Sequence, residues 1–162
     1  TFATLDARFE EAEQDHKTHM AESANKAHGG VKCALVRKNA SQSLVENQDV
    51  ALVYGSLAYD TSGIWNAEQP TRLTVPNGVT KVIVKANIRV GTDLFLATIK
   101  KNGATPLGVP SINWFAGSTG PNISSAILNV VEGDYFEVFI NPTVTMTATS
   151  SAFSWFALEV VE

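Results

Sequence analysis

Apolar residues follow two rhythms along this chain, and the change between them comes at Gly29-Gly30. In the first 28 residues Phe2, Leu5, Phe9 and Ala12 recur at spacings of three and four. That spacing lays them on one narrow stripe of a helix, the a and d positions of successive heptads. Continuing the register puts His16 and His19 on the same seam. A one-residue shift after His16 would instead bring Met20, Ala24 and Ala27 inward, as a stutter does. A stripe this narrow predicts a helix barely stable alone, which makes identical copies its simplest partners. The histidine pair reads most simply as a polar seam layer that fixes register, or as two solvated side chains. The sharper alternative is an axial imidazole ring for an anion, a metal or a pH switch.

From Val31 onward the period falls to two. Val82, Val84, Ala86, Ile88 and Val90 alternate with Lys81, Lys85 and Arg89, the signature of a strand with one buried face. Similar runs predict strands over 31–38, 43–46, 50–57, 72–75, 81–90, 94–101, 111–115, 123–130, 135–140 and 153–161. Between them lie turn signals: Asp60-Thr61-Ser62-Gly63, Pro76-Asn77-Gly78, Lys101-Asn102-Gly103 and Glu132-Gly133-Asp134. About ten short strands at this spacing argue for an antiparallel sandwich or jelly roll. The expected organisation is a coiled-coil stem (1–28), a Gly-Gly junction (29–30) and a β head (31–162).

Composition sharpens the division. Residues 1–28 hold all three histidines and neither Gly nor Pro, whereas 31–162 hold all six prolines and no histidine. The net charge of −4 splits as −3 on the stem and −1 on the head, with no basic field for phosphate backbones, so nucleic-acid binding is not expected. No apolar run approaches the roughly 20 residues of a membrane span. The single Cys33 has no intrachain partner and reads as a small buried residue of the first strand.

The landmarks of the head resemble those of the C1q/TNF-like jelly rolls, in the same order. They are Tyr59-Asp60-Thr61-Ser62-Gly63, Leu73-Thr74-Val75-Pro76-Asn77-Gly78, Ile99-Lys100-Lys101-Asn102-Gly103, Val131-Glu132-Gly133-Asp134-Tyr135 and Phe153-Ser154-Trp155-Phe156-Ala157-Leu158. The chain departs from the family in Val79-Thr80 after the Pro-x-Gly turn, in Trp155 where vertebrate members carry Gly, and in a heptad stem instead of collagen. These departures weaken any carry-over of the vertebrate receptor and calcium roles and leave the fold assignment undisturbed. What the resemblance implies is a tight homotrimer of jelly rolls with the stem at one end, especially as found in bacteriophage fibre heads.

Catalysis is not expected. A head without histidine cannot build a Ser-His-Asp or Cys-His arrangement, and no phosphate-binding glycine loop opens a helix. Paired carboxylates about 5–9 Å apart would suffice for a glycosidase. The head acids, however, lie mostly beside turns, where Asp60 and Asp134 read as side chains bonding their own backbone. No cofactor or metal is implied. Binding chemistry has two candidate places. One is Trp65 with Asn66 and Arg72; the other is Trp114 in the Gly/Pro/Ser-rich stretch 106–121, whose simpler role is strand packing. Phe136, Phe139, Phe153 and Phe156 are expected to pack in the core or between subunits.

Function reduces to a choice among non-enzymatic roles. The leading expectation is a trimeric virion fibre or spike whose head binds a host-surface protein or glycan, with the stem joined to other virion proteins. The alternatives are a capsid decoration or head fibre without a receptor, and a secreted C1q-like recognition module.

Overall fold

The computed structural model describes residues 31–89, 94–114, 120–149 and 151–161. The stem expected over 1–28, with its seam residues Phe2, Leu5, Phe9, Ala12, His16 and His19, and the Gly29-Gly30 junction lie outside the described residues.

The described chain forms thirteen strands: β1 (Cys33–Lys38), β2 (Gln42–Leu44), β3 (Val50–Ala51), β4 (Ser56–Asp60), β5 (Arg72–Thr74), β6 (Lys81–Asn87), β7 (Phe95–Lys101), β8 (Ile112–Trp114), β9 (Asn122–Ser124), β10 (Leu128–Asn129), β11 (Tyr135–Pro142), β12 (Met146–Ala148) and β13 (Ser151–Val160). One sheet runs β10-β6-β13-β1-β4, with β9 following β10's edge along β6. A second runs β3-β11-β7-β8, with β5 sharing β11's edge with β3, and β2 pairs separately with β12. Every pairing is antiparallel. From β6 onward the chain passes from the first sheet to the second and back twice, which is the winding of a jelly roll.

Period-two alternation supplies the core. Val82, Val84 and Ala86 of β6, Phe156 and Leu158 of β13, and Ala34 and Val36 of β1 face inward from the first sheet. Phe136, Val138 and Ile140 of β11, with Phe95, Ala97 and Ile99 of β7, meet them from the second. Tyr54 lies among them with its ring centroid 5.7 Å from that of Phe156. Its hydroxyl has no hydrogen-bond partner, and burial raises its pKa well above the ordinary phenol value.

Two expected strands differ in the fold, and a third strand lies where none was expected. The run 50–57 is extended but changes partner. Ala51 pairs with Phe139 in the second sheet and Leu57 with Val36 in the first, and the chain crosses between them through buried Leu52 and Tyr54. The run 123–130 is interrupted at Ser125, whose hydroxyl accepts the Val84 N–H at 3.0 Å in place of a ladder carbonyl. The third, β12, has Met146 and Ala148 buried on either side of a threonine. It escaped notice because its apolar signal rests on two residues. Cys33 also differs from expectation. It is half-buried on the outward side of β1, because Ala34 and Val36 take the inward positions.

Two turns fix the ends of the sheets. Asp60 accepts N–H bonds from Ser62 (3.0 Å), Ile64 (3.1 Å) and Trp65 (2.9 Å), so its carboxylate organises the whole turn. Asn102 and Gly103 adopt φ of 50° and 82°, and Lys101 and Ala104 exchange backbone bonds of 2.7 and 3.0 Å, the tight hairpin that Asn-Gly favours. Gly120 meets the Ile88 carbonyl so closely that any Cβ would sit 1.6 Å from its oxygen. Only glycine lets the chain enter β9 along that path.

Candidate functional site

The outward faces of the two sheets are chemically unlike. On the first sheet the outward row includes Leu35 and Tyr59 facing each other across β1 and β4, with Ile83, Ala157 and Trp155 on β6 and β13. Tyr59 and Phe153 are 44% and 66% exposed there, and Leu57, which pairs with the inward Val36, is 46% exposed on edge strand β4. Arg89 lies 5.3 Å from the Phe153 ring. Burial, with the nearby Cys33 and Glu159, raises the Tyr59 phenol above its ordinary pKa.

On the second sheet each outward ring carries its own cation, and each cation its own carboxylate. The Arg72 guanidinium lies 4.0 Å from the Tyr135 ring, and its Nε donates to Glu137 Oε1 at 3.2 Å. Thr71 donates its hydroxyl to the same oxygen at 2.6 Å, and Glu137 is buried. One strand over, Lys100 Nζ lies 4.3 Å from the Phe139 ring and 2.6 Å from Asp49 Oδ2. Asn141 donates to Asp49 Oδ1 at 2.9 Å. The hydrogen bonds from Lys100 and then Asn141 hold the Asp49 carboxyl below its ordinary pKa against a smaller cost of burial. Glu137 faces Arg72 on β5 and Lys100 on β7, so the two units adjoin.

Beside the Lys100–Asp49 pair the surface dips into a depression of about 210 Å³. Leu96 and Phe139 form its apolar lining; Asp49, Thr98, Lys100, Thr105 and Ser111 supply the polar groups. Thr98 Oγ1 donates to Ser111 Oγ at 2.8 Å, joining β7 to the segment that enters β8. At the far end of β7, Asp134 accepts from Val131 N–H (2.8 Å), Lys101 Nζ (2.7 Å) and Asn102 Nδ2 (2.7 Å). That cluster locks two turns together, as the turn reading of Asp134 has it. Among the described residues no group of three His, Cys, Asp or Glu side chains could hold a metal ion.

No family model matches the chain, and no curated protein matches its sequence. Solved structures do. Murine APRIL is similar over 80% of this chain and 98% of its own, at TM-score 0.55 and 10% identity. The globular domain of zebrafish complement 1qA is similar over 81% and 98%, at TM-score 0.50 and 13% identity. The head has the TNF/C1q-like jelly-roll fold.

On this jelly roll the expected binding residues fall in two places. Trp65 bridges to Leu73, next to Arg72, so these two come together at the β5 edge of the second sheet. The Trp65 ring packs partly against the core, and its Nε1 is buried without a hydrogen-bond partner. Asn66 is spent on its own turn, its Oδ1 accepting the Glu68 N–H at 2.9 Å. Trp114 pairs with Phe95 on β8, separated from β5 by β11 and β7. Phe136 and Phe156 are core residues, while Phe139 and Phe153 face outward on opposite sheets. Sequence reasoning missed Asp49, Lys100 and Phe139 as a unit, because they meet only through pairing of three strands. The one available signal was alternation along β11, which sets Phe139 on the face opposite Phe136, Val138 and Ile140, whereas it was expected to pack in the core or between subunits.

Proposed function

We propose that this chain is a homotrimeric, non-catalytic recognition module: the head of a virion fibre or spike that attaches to a host-surface protein or glycan. The observation that carries the trimer is the apolar outward face of the first sheet, where Leu35, Tyr59, Ile83 and Trp155 lie together and Tyr59 is 44% exposed. A closed ring of identical subunits needs two different complementary patches. A second apolar patch stands at the β10 edge. Leu107 and Ile127 are 97% and 55% exposed there, and their segments are joined by an Ala126 N–H to Gly108 carbonyl bond of 2.8 Å. Face against edge, repeated three times, closes such a ring. The heptad stripe of 1–28 supports association of identical copies through a stem suited to joining other virion proteins.

Light scattering of the full chain at micromolar concentration tests the assembly. A mass of three times 17.4 kDa is expected, and a monomer would overturn it. Attachment is tested by adding the full chain as competitor during adsorption of particles to cells; unaltered adsorption at saturating protein removes the receptor role. A second reading, a secreted recognition module, is favoured by the likeness to a complement domain. Mass spectrometry of purified particles separates the two, since a virion protein must be present at stoichiometric amounts.

A further inference from the structure

We propose that the depression between β7, β11 and the segment before β8 is a binding site for one neutral sugar ring, recognised through a vicinal diol by Asp49 and Lys100. The dimensions come first. At about 210 Å³ the site is smaller than the roughly 300–1,000 Å³ of pockets for drug-sized ligands. It admits a single small ring.

Charge then narrows the class. Asp49 and Lys100 cancel, so neither an anion nor a cation enters without meeting a like charge. A purely apolar guest would strip water from this pair and from the Thr98–Ser111 hydroxyls without replacing those bonds. The ligand must therefore be neutral, rich in hydroxyls, and apolar on one side for Leu96 and Phe139.

Bonding capacity specifies the rest. Asp49 spends one lone pair per oxygen, on Asn141 and on Lys100, and each oxygen can accept again. Lys100 has three N–H donors, one of them committed to Asp49. Adjacent hydroxyls of a sugar ring match this pair, one donating to the carboxylate and its neighbour accepting from the ammonium, both charge-assisted. Ser111 and Thr98 can bond a third hydroxyl. Lys100 is itself held over Phe139 and Asp49 is held by Asn141, so the pair is positioned before a ligand arrives. A single site of this size binds weakly, and three copies on one axis would multiply the effect at a glycan-bearing surface. The biological use rests on the attachment reading; the binding chemistry does not.

The test is a titration of the ¹⁵N-labelled full chain with the methyl glycosides of glucose, galactose and mannose, followed by amide shifts. At least one should produce saturable shifts at Thr98, Lys100 and Ser111. Asp49→Asn and Thr98→Val should each weaken it about tenfold or more while the rest of the spectrum stays in place. If none of the three moves those amides at millimolar concentration, or if only N-acetylneuraminic acid does, the proposal is overturned. Unweakened binding in both variants overturns it equally. Adsorption competition separates this from the wider reading. Competition by the wild-type chain with no sugar response removes the sugar site and keeps attachment. A sugar response with no competition keeps the site and removes attachment.

Discussion

The two outward faces of this jelly roll are built by the same alternation over the same core, yet one is complete and the other is not. On the second sheet, Tyr135 and Phe139 are covered by Arg72 and Lys100, which are neutralised by Glu137 and Asp49. Nothing there calls for another protein chain. On the first sheet, Leu35, Tyr59, Ile83 and Trp155 form an apolar surface that also carries the Lys85–Glu159 ion pair. Strand physics fixes which residues face outward; side-chain chemistry then decides whether water or protein covers them.

The largest effect follows from charging the incomplete face. Trp155→Glu should abolish the trimer, leaving a folded monomer by light scattering and circular dichroism. An interface anchor is worth about 2–4 kcal/mol, and a closed ring loses it at three interfaces at once. The matched change on the other face, Thr74→Glu beside its cross-strand partner Tyr135, should leave the mass unaltered. Equal disruption by both would mean that the polar face also lies between subunits.

Next is a residue both faces depend on. Phe156, on β13 of the first sheet, is fully buried against Tyr54 in the core that the two sheets share. Phe156→Ala should cost about 3–5 kcal/mol in a denaturant titration. Assembly should fall with it, in contrast to the surface variant, which separates assembly from folding.

How much of this was legible in the sequence depends on range. The inward set of β6 could be read from Val82, Val84 and Ala86 alone, because alternation is a local property. So could the Asp60 turn, since a carboxylate before Ser and Gly bonds its own backbone. The TNF/C1q-like fold was legible from the order of turn landmarks, none of them sufficient alone. The partner change at Leu52–Gly55 was not, since an extended apolar run looks the same whichever sheet it joins. Nor was the Asp49–Lys100–Phe139 unit, whose members lie 51 residues apart in the Lys100–Asp49 bond. Trp65 stood out by residue type, but part of its ring serves the core.

Acid should weaken the complete face before the other. Burial opposes ionisation of Asp134, but bonds from Lys101, Val131 N–H and Asn102 outweigh it and hold the carboxyl below its ordinary 3.8. Asp49 is shifted the same way. A group with a depressed folded pKa contributes stability in full above its unfolded value, and loses it as pH falls through the folded one. Stability should therefore be level from neutrality down to about pH 5, then decline below pH 4. Asp134→Asn should flatten that acid limb in melts taken at successive pH values. An unchanged limb would place the acid sensitivity in other carboxylates.

The smallest effects come from comparing one ion pair on each face. Glu137 is buried and receives both Arg72 and Thr71, so Glu137→Gln leaves a guanidinium and a hydroxyl competing for a neutral amide. That should cost about 1–3 kcal/mol, the penalty for an ill-satisfied buried group. Lys85 and Glu159 meet at 2.6 Å, but their side chains are 36% and 37% exposed. Water already solvates both, so Glu159→Gln should change monomer stability by less than about 1 kcal/mol. Measured in the Trp155→Glu background, the two variants read folding without assembly. If Glu159→Gln then proves the costlier, the first sheet has its own internal electrostatic support. Its apolar surface would then be finished by the chain itself, and the argument for a covering subunit would lose its footing.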